Sequence, residues 1–212
     1  MKLIKQNYEE GYHENVLYRE AHKSQRNRAR LELFTAEKPD GRLLEVGCGQ
    51  CGFLRLARER YDVHGIDISH TAVDAAQQEF GDRVHVANLE RDNLPQCAYD
   101  AVAVFNILEH LHDPAGAAQK LYGALDKGGV MIGSVPNNSG PVGSVVTVIA
   151  NYFDRTHVST YPPVQWRNIF QQAGFAQIEF FGEITIGRNR CTYLRSNAWE
   201  PLSFNLMFLC RK

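Results

Sequence analysis

Leu43-Leu44-Glu45-Val46 runs into Gly47-Cys48-Gly49-Gln50-Cys51-Gly52, and Val63-His64-Gly65-Ile66-Asp67-Ile68 follows, with Asp67 eighteen residues beyond Gly49. An apolar run closed by glycines reads as a buried parallel strand whose turn passes close to a ligand. Phe53-Leu54-Arg55-Leu56-Ala57 then resumes at helical spacing. The second strand ends on an acid, which can accept both hydroxyl hydrogens of a ribose. Strand, glycine turn, helix and acid-ended strand together predict a nucleotide-cofactor site on a parallel sheet.

Gly47-x-Gly49-x-x-Gly52 also fits a dinucleotide fingerprint, so other residues must choose the cofactor. Glu45 stands two positions before the first glycine, placed to accept hydrogen bonds near an amino group or to brace the loop. Arg83-Val84-His85-Val86-Ala87 leads into Asn88-Leu89-Glu90, a polar acceptor and an apolar side chain suited to the edge and face of an adenine. Tyr99 to Leu111 and Leu125 to Asn137 supply two further strand-and-turn segments.

In this order the segments resemble the class I S-adenosylmethionine-dependent methyltransferases over residues 40 to 180. Leu108-Glu109-His110-Leu111, Pro136-Asn137 and Asp154-Arg155-Thr156-His157 look most like the ubiquinone-biosynthesis O-methyltransferases and related small-molecule methyltransferases. The resemblance implies a Rossmann-like, doubly wound α/β fold with a mostly parallel seven-stranded sheet and an antiparallel last strand. It also implies S-adenosylmethionine as cofactor, held by Glu45, Gly47, Cys48, Gly49, Asp67, Ile68, Asn88, Leu89 and Asn106. Two positions depart from the family pattern. Cys51 stands where a third glycine is usual, and Asn88 replaces the usual acid, although an amide oxygen still accepts a hydrogen bond.

Methyl transfer from a sulfonium needs alignment above all, with the acceptor in line with the S–CH3 bond at about 3–3.5 Å. A hydroxyl acceptor must also lose its proton, to a general base or after acidification by a metal. Glu109 and His110 follow the fourth strand, and His157 follows the fifth through an insertion, so these three are the catalytic candidates. The resembling enzymes carry Glu-x-x-Glu-His and a later histidine as a divalent-metal site, which makes the same three residues the metal candidates. Asn106 takes the place of the first acid, and the remaining donors suit zinc, manganese or iron better than magnesium. Without a metal, Glu109-His110 would simply begin a helix packed on the insertion. His13, His22, His64, His70, His85 and His112 lack comparable placement and are given no role.

The chain of 212 residues, 44% apolar and 22% charged, suits one domain with a substantial core. Its expected organisation is an N-terminal helical lid over 1–36 and a cofactor-binding domain over 37–212, with a cap insertion at 137–163. Within that insertion 142–153 reads as a helix covering the pocket, and it lacks the basic face of a membrane-surface anchor. Aromatic residues Tyr8, Tyr12, Tyr18, Tyr152, Phe153, Tyr161 and Trp166 flank the site and fit either an acceptor pocket or ordinary helix packing. Net charge is −1, and the densest basic stretch, Arg19 to Arg30, is mixed with Glu20 and polar residues, so nucleic acid is not an expected partner. The N-terminus lacks a signal-peptide pattern and no segment reaches the ~20 apolar residues of a membrane span, so a cytoplasmic location is expected. Five scattered cysteines do not form a disulfide framework, and without a second pair Cys48-x-x-Cys51 is a poor zinc or redox motif.

The expected activity is methylation of a small molecule, at oxygen before nitrogen. A non-catalytic cofactor-binding module and a nicotinamide oxidoreductase are the alternatives. Turnover of any acceptor excludes the first, and a comparison of binding to the two cofactors excludes the second.

Overall fold

The computed structural model describes residues 16–137, 156–186, 190–194, 203 and 205–212. Eight strands form the sheet: β1 (Gly41–Val46), β2 (Tyr61–Asp67), β3 (Val84–Val86), β4 (Tyr99–Phe105), β5 (Leu125–Pro136), β6 (Gln177–Ile186), β7 (Arg190–Leu194) and β8 (Asn205–Arg211). Five described helices cover it: α1 (Val16–Glu37), α2 (Gly52–Ala57), α3 (His70–Phe80), α4 (Pro114–Ala124) and α5 (Pro163–Ala173). The strand order is β3-β2-β1-β4-β5-β8-β6-β7. The first five strands pair in parallel, and β8 inserts antiparallel between β5 and β6. Seven strands follow the expected doubly wound arrangement. β7 adds an eighth at the edge, antiparallel to β6.

Helix boundaries follow local chemistry. Ser69 caps α3 by accepting from the Ala72 N–H at 3.2 Å, and Asp113 caps α4 by accepting from Gly116 at 2.8 Å. Pro114 and Pro163 begin α4 and α5, where a missing N–H costs nothing. Gly174 closes α5 in the left-handed region at φ 114°. The Gly128-Gly129 pair behaves differently from the helix stop its composition suggests. Both residues lie inside β5, which begins directly after α4 and makes an irregular register against β4 near Tyr99. Glu109-His110 likewise forms a single 3-10 turn over Leu108–His110, because Asp113-Pro114 supplies the stronger helix start.

Period-two alternation divides the core into two layers. Leu44, Val46, Val102, Val104, Met131, Leu206 and Phe208 face α4 and α5. Leu43, Ala101, Ala103, Val130, Ile132, Met207 and Leu209 face the opposite way, toward Phe34 of α1, Phe53 and Leu54 of α2, and Val73 of α3. The two alanines of β4 leave room for aromatic packing, with the Phe34 and Phe53 rings 5.6 Å apart and Phe53 at 5.7 Å from Phe105. Gly133 serves a similar purpose on β5. A Cβ there would fall 2.1 Å from the Val104 carbonyl oxygen and 2.4 Å from the Phe208 ring.

The expected helix at 142–153, Tyr8, Tyr12, and Asp154-Arg155 lie outside the described residues. Among the described residues no helix is long and apolar enough to cross a membrane.

Gly133→Ala should lower stability by about 1–3 kcal/mol through overpacking of the β4–β5–β8 centre. Urea denaturation reads this directly, and an unchanged midpoint would contradict the close approach.

Candidate active site

The carboxyl ends of β1, β2 and β4 carry the predicted residues. Gly47 N–H and Cys48 N–H both donate to the Ile66 carbonyl, at 2.8 and 3.1 Å, which ties the glycine turn to the end of β2. Gly47 and Gly49 adopt φ of 74° and 49°, a region that favours glycine. At Gly47 a Cβ would strike Ile107 at 2.2 Å, whereas at Gly49 it would meet nothing within 4 Å. The turn therefore presents open backbone at Gly49, a cradle that a ligand can approach closely. Cys51 takes φ 57° and caps α2 with its thiol buried, so a non-glycine residue accepts the left-handed geometry. Cys48 and Cys51 are both unbridged.

Asp67 joins these parts. One carboxylate oxygen accepts from Gly49 N–H at 2.7 Å and the other from Ser69 N–H at 2.9 Å. Each oxygen keeps a further lone pair for a ribose hydroxyl. Beside it Ile68 is 51% exposed, an apolar surface next to the cradle. Asn88 follows β3, and its amide oxygen accepts from Glu90 N–H at 2.9 Å, which fixes the orientation of the amide. Leu89 is buried in the α4 layer of the core, whereas the side chain of Ile68 is exposed.

Glu45 and Arg30 are both buried and influence each other electrostatically. Burial drives the Glu45 carboxyl well above its ordinary range, reinforced by Cys51 and opposed by Arg30. Burial also lowers the Arg30 guanidinium, against the attraction of Glu183. The Arg30 guanidinium lies 3.7 Å over the Phe105 ring, and among the described residues its Nε and the Glu45 Oε2 have no hydrogen-bond partner. Orphaned polar atoms of this kind are costly in a dry interior and mark a place for a complementary polar group. Arg26 and Asn205 both meet Oε1 of Glu183, at 2.9 and 3.3 Å, which steadies α1 across the sheet end. Arg30 was hidden in sequence within a mixed basic stretch that reads as a helix surface. Its helical offset from Phe34 and Leu33, both buried, is the signal that could have exposed it.

The third group gathers at the end of β4. Asn106 adopts φ 53° and its amide oxygen accepts from Ser134 Oγ at 2.9 Å. The 3-10 turn then brings Glu109, 1% exposed, beside His110 and His157, and one ligand atom from each lies within 4.8 Å of the others. The Glu109 carbonyl accepts from Val158 and Ser159 N–H, clamping the segment that carries His157 onto the turn. His110 Nδ1 lies 2.8 Å from Thr156 Oγ1 and 3.3 Å from the Thr156 carbonyl oxygen. The carbonyl only accepts whereas the hydroxyl donates or accepts, so both contacts hold the ring through Nδ1. One buried carboxylate with two imidazoles is a donor set that fits zinc, manganese or iron.

Comparisons with known proteins agree with this architecture. The chain belongs to the methyltransferase domain family, which matches residues 18–179. The fold is shared with a SAM-dependent methyltransferase of Thermotoga maritima described as a possible histamine N-methyltransferase, at a TM-score of 0.70 and 15% identity over 92% of this chain and 94% of that one. A SAM-dependent methyltransferase of Archaeoglobus fulgidus aligns at 0.68 and 20% identity, over 89% and 94%. A probable fatty acid methyltransferase of Pseudomonas putida is 34% identical over 100 residues, 42% of this chain and 25% of that protein, so the match spans about a quarter of its length. The family assignment gives the class of this chain, a methyltransferase domain, and the open backbone at Gly49 beside the buried polar atoms of Glu45 and Arg30 is chemically suited to the zwitterionic end of an S-adenosylmethionine cofactor.

The raised Glu45 value sets a pH dependence. Folding favours the protonated carboxyl, so this stabilisation is complete below the ordinary value of 4.5 and is lost as pH rises through the higher folded value. In the cofactor-free protein, Glu45→Gln should therefore gain stability over the wild type as pH rises above 4.5. Thermal melts across that window test the sign, and a gap that narrows with pH would refute it.

Proposed function

We propose that this enzyme transfers the methyl group to an oxygen of a small-molecule acceptor bound beside Glu109, His110 and His157. The observation that carries the reading is the convergence of those three side chains within 4.8 Å at the end of β4, adjoining the cofactor cradle. S-adenosylmethionine supplies an activated methyl on a neutral leaving group, so the protein's work is to bind, align and remove a proton.

In this reading Asp67 accepts from the ribose hydroxyls, Ile68 packs on the base, and the Asn88 amide oxygen and the Leu89 backbone meet its edge. Gly47, Cys48 and Gly49 form the close-packed floor. Glu45 and Arg30 take the amino-acid end of the cofactor, the carboxyl facing its ammonium and the guanidinium its carboxylate. Asn106 borders the methionine portion. Glu109, His110 and His157 would hold a divalent ion, which would supply Lewis acidity to an acceptor hydroxyl, and Thr156 orients His110 as outer partners orient metal-bound histidines. The Thermotoga protein's description as a possible histamine N-methyltransferase supports nitrogen as the competing acceptor atom. The nitrogen reading needs no strong base, because a neutral amine already carries its nucleophilic lone pair.

Asp67→Ala should weaken S-adenosylmethionine binding by about 1–3 kcal/mol, read by calorimetric titration. An unaltered dissociation constant in the folded variant would remove Asp67 from the cofactor site.

The catalytic groups separate by chelation. With a metal at work, chelator abolishes turnover, added divalent ion restores it, and Glu109→Ala and His157→Ala each lose bound metal in elemental analysis. With a histidine acting alone as base, chelator has no effect, the rate rises with pH through its pKa, and removing it costs about 10²–10⁴-fold. A much smaller loss indicates an amine acceptor. Full activity of His110→Ala/His157→Ala in chelator would overturn both roles.

A further inference from the structure

Lys120 lies on α4, outside the cofactor cradle, yet all of its ammonium hydrogen bonds go to one loop. Nζ donates to the carbonyl oxygens of Leu89 at 3.0 Å, Glu90 at 2.8 Å and Asp92 at 2.9 Å. An ammonium has three protons, and three partners exhaust them. The loop accepts at the start of the same helix as well: Glu90 Oε1 takes the N–H groups of His112 and Asp113, both at 2.8 Å. Inside the loop, Asp92 Oδ2 accepts from Asn88 N–H at 2.8 Å, and Asn88 Oδ1 accepts from Glu90 N–H.

We propose that Lys120 and Glu90 are positioning residues for adenine recognition, cross-tying the loop after β3 to α4 so that the Asn88 amide oxygen is fixed against the base's amino group. The inference rests on the cofactor reading given above. Asn88 is an uncharged residue where a carboxylate is usual in the resembling class, so its selectivity depends on which end of the amide faces the ligand. A carboxylate is symmetric and accepts in either orientation. An amide rotated by half a turn presents a donor instead, which suits the 6-oxo group of hypoxanthine and not the amino group of adenine. The Glu90 N–H bond opposes that rotation, and Lys120 and Glu90 hold the backbone that supplies it. Three cation-assisted bonds to one loop are well suited to this, since they fix direction as well as distance. The same ties end at His112 and Asp113, directly after the turn bearing Glu109 and His110, so the adenine loop and that turn share one anchorage.

Lys120→Met, Lys120→Arg and Glu90→Ala are titrated calorimetrically with S-adenosylhomocysteine, adenosine and inosine, and each is checked for folding by thermal melt. Lys120→Met should weaken adenosine and S-adenosylhomocysteine about tenfold. Its preference for adenosine over inosine should shrink, and Lys120→Arg should recover part of it. A role confined to fold stability would lower the melting temperature and leave the preference untouched in the folded protein. Should Lys120→Met not fold, Glu90→Ala carries the test: a reduced preference supports the proposal, and an unchanged one overturns it. Wild-type affinities and preference in folded Lys120→Met overturn the proposal alone, whereas a wild type that binds neither S-adenosylhomocysteine nor adenosine overturns the cofactor reading and the proposal with it.

Discussion

The Asp67 carboxylate bridges two pieces of backbone, the glycine turn after β1 and the approach to α3. Parallel pairing brings the ends of β1 and β2 level, with Val46 opposite Ile66, but pairing stops where the strands stop. Beyond that point the turn must be held open and close to a ligand at once. A side chain with two acceptor oxygens does this without filling the space, and Ile66 completes the tie through its carbonyl. The left-handed geometry of Gly47, Gly49 and Cys51 is tolerable because this frame over-determines it.

Much of the frame was readable in sequence because it depends on short-range rules. Pro163–Ala173 and the helix from Pro114 follow from prolines at N1 and from periodicity, and the strand-end positions of Asp67 and Asn88 follow from buried runs meeting polar residues. Reading failed where a local signal had a different tertiary use. Gly128-Gly129 has the composition of a helix stop but is absorbed into β5. Glu109 and His110 form a tight 3-10 turn ahead of the helix that Asp113-Pro114 opens, so the alternative of a helix begun at Glu109 does not hold. The eighth strand depends on β6 continuing to Ile186 and folding back, a long-range pairing that alternation does not announce.

At the site the same division holds. The cluster of Glu109, His110 and His157 joins residues nearly fifty positions apart, and only the resemblance of Asp154-Arg155-Thr156-His157 made that legible in sequence. Arg30 was not legible, because its significance comes from sitting over Phe105 and near Glu45, two residues from different strands. Leu89 was assigned to the base from its place after Asn88, yet its side chain serves the core, since the loop turns it inward toward the α4 layer.

The alternation of β4 has a further consequence. Phe105 closes the layer shared with α1 and α2, while Leu108, three residues later, belongs to the layer of α4 and α5. The sheet thus stands as a wall between the packing that supports Arg30 and Glu45 and the packing that supports the turn of Glu109 and His110. Side chains on opposite sides of such a wall share few neighbours, so changes on each side combine nearly additively. A protein built this way can exchange side chains on the inner face of α5 while the packing that holds Arg30 and Glu45 stays as it was.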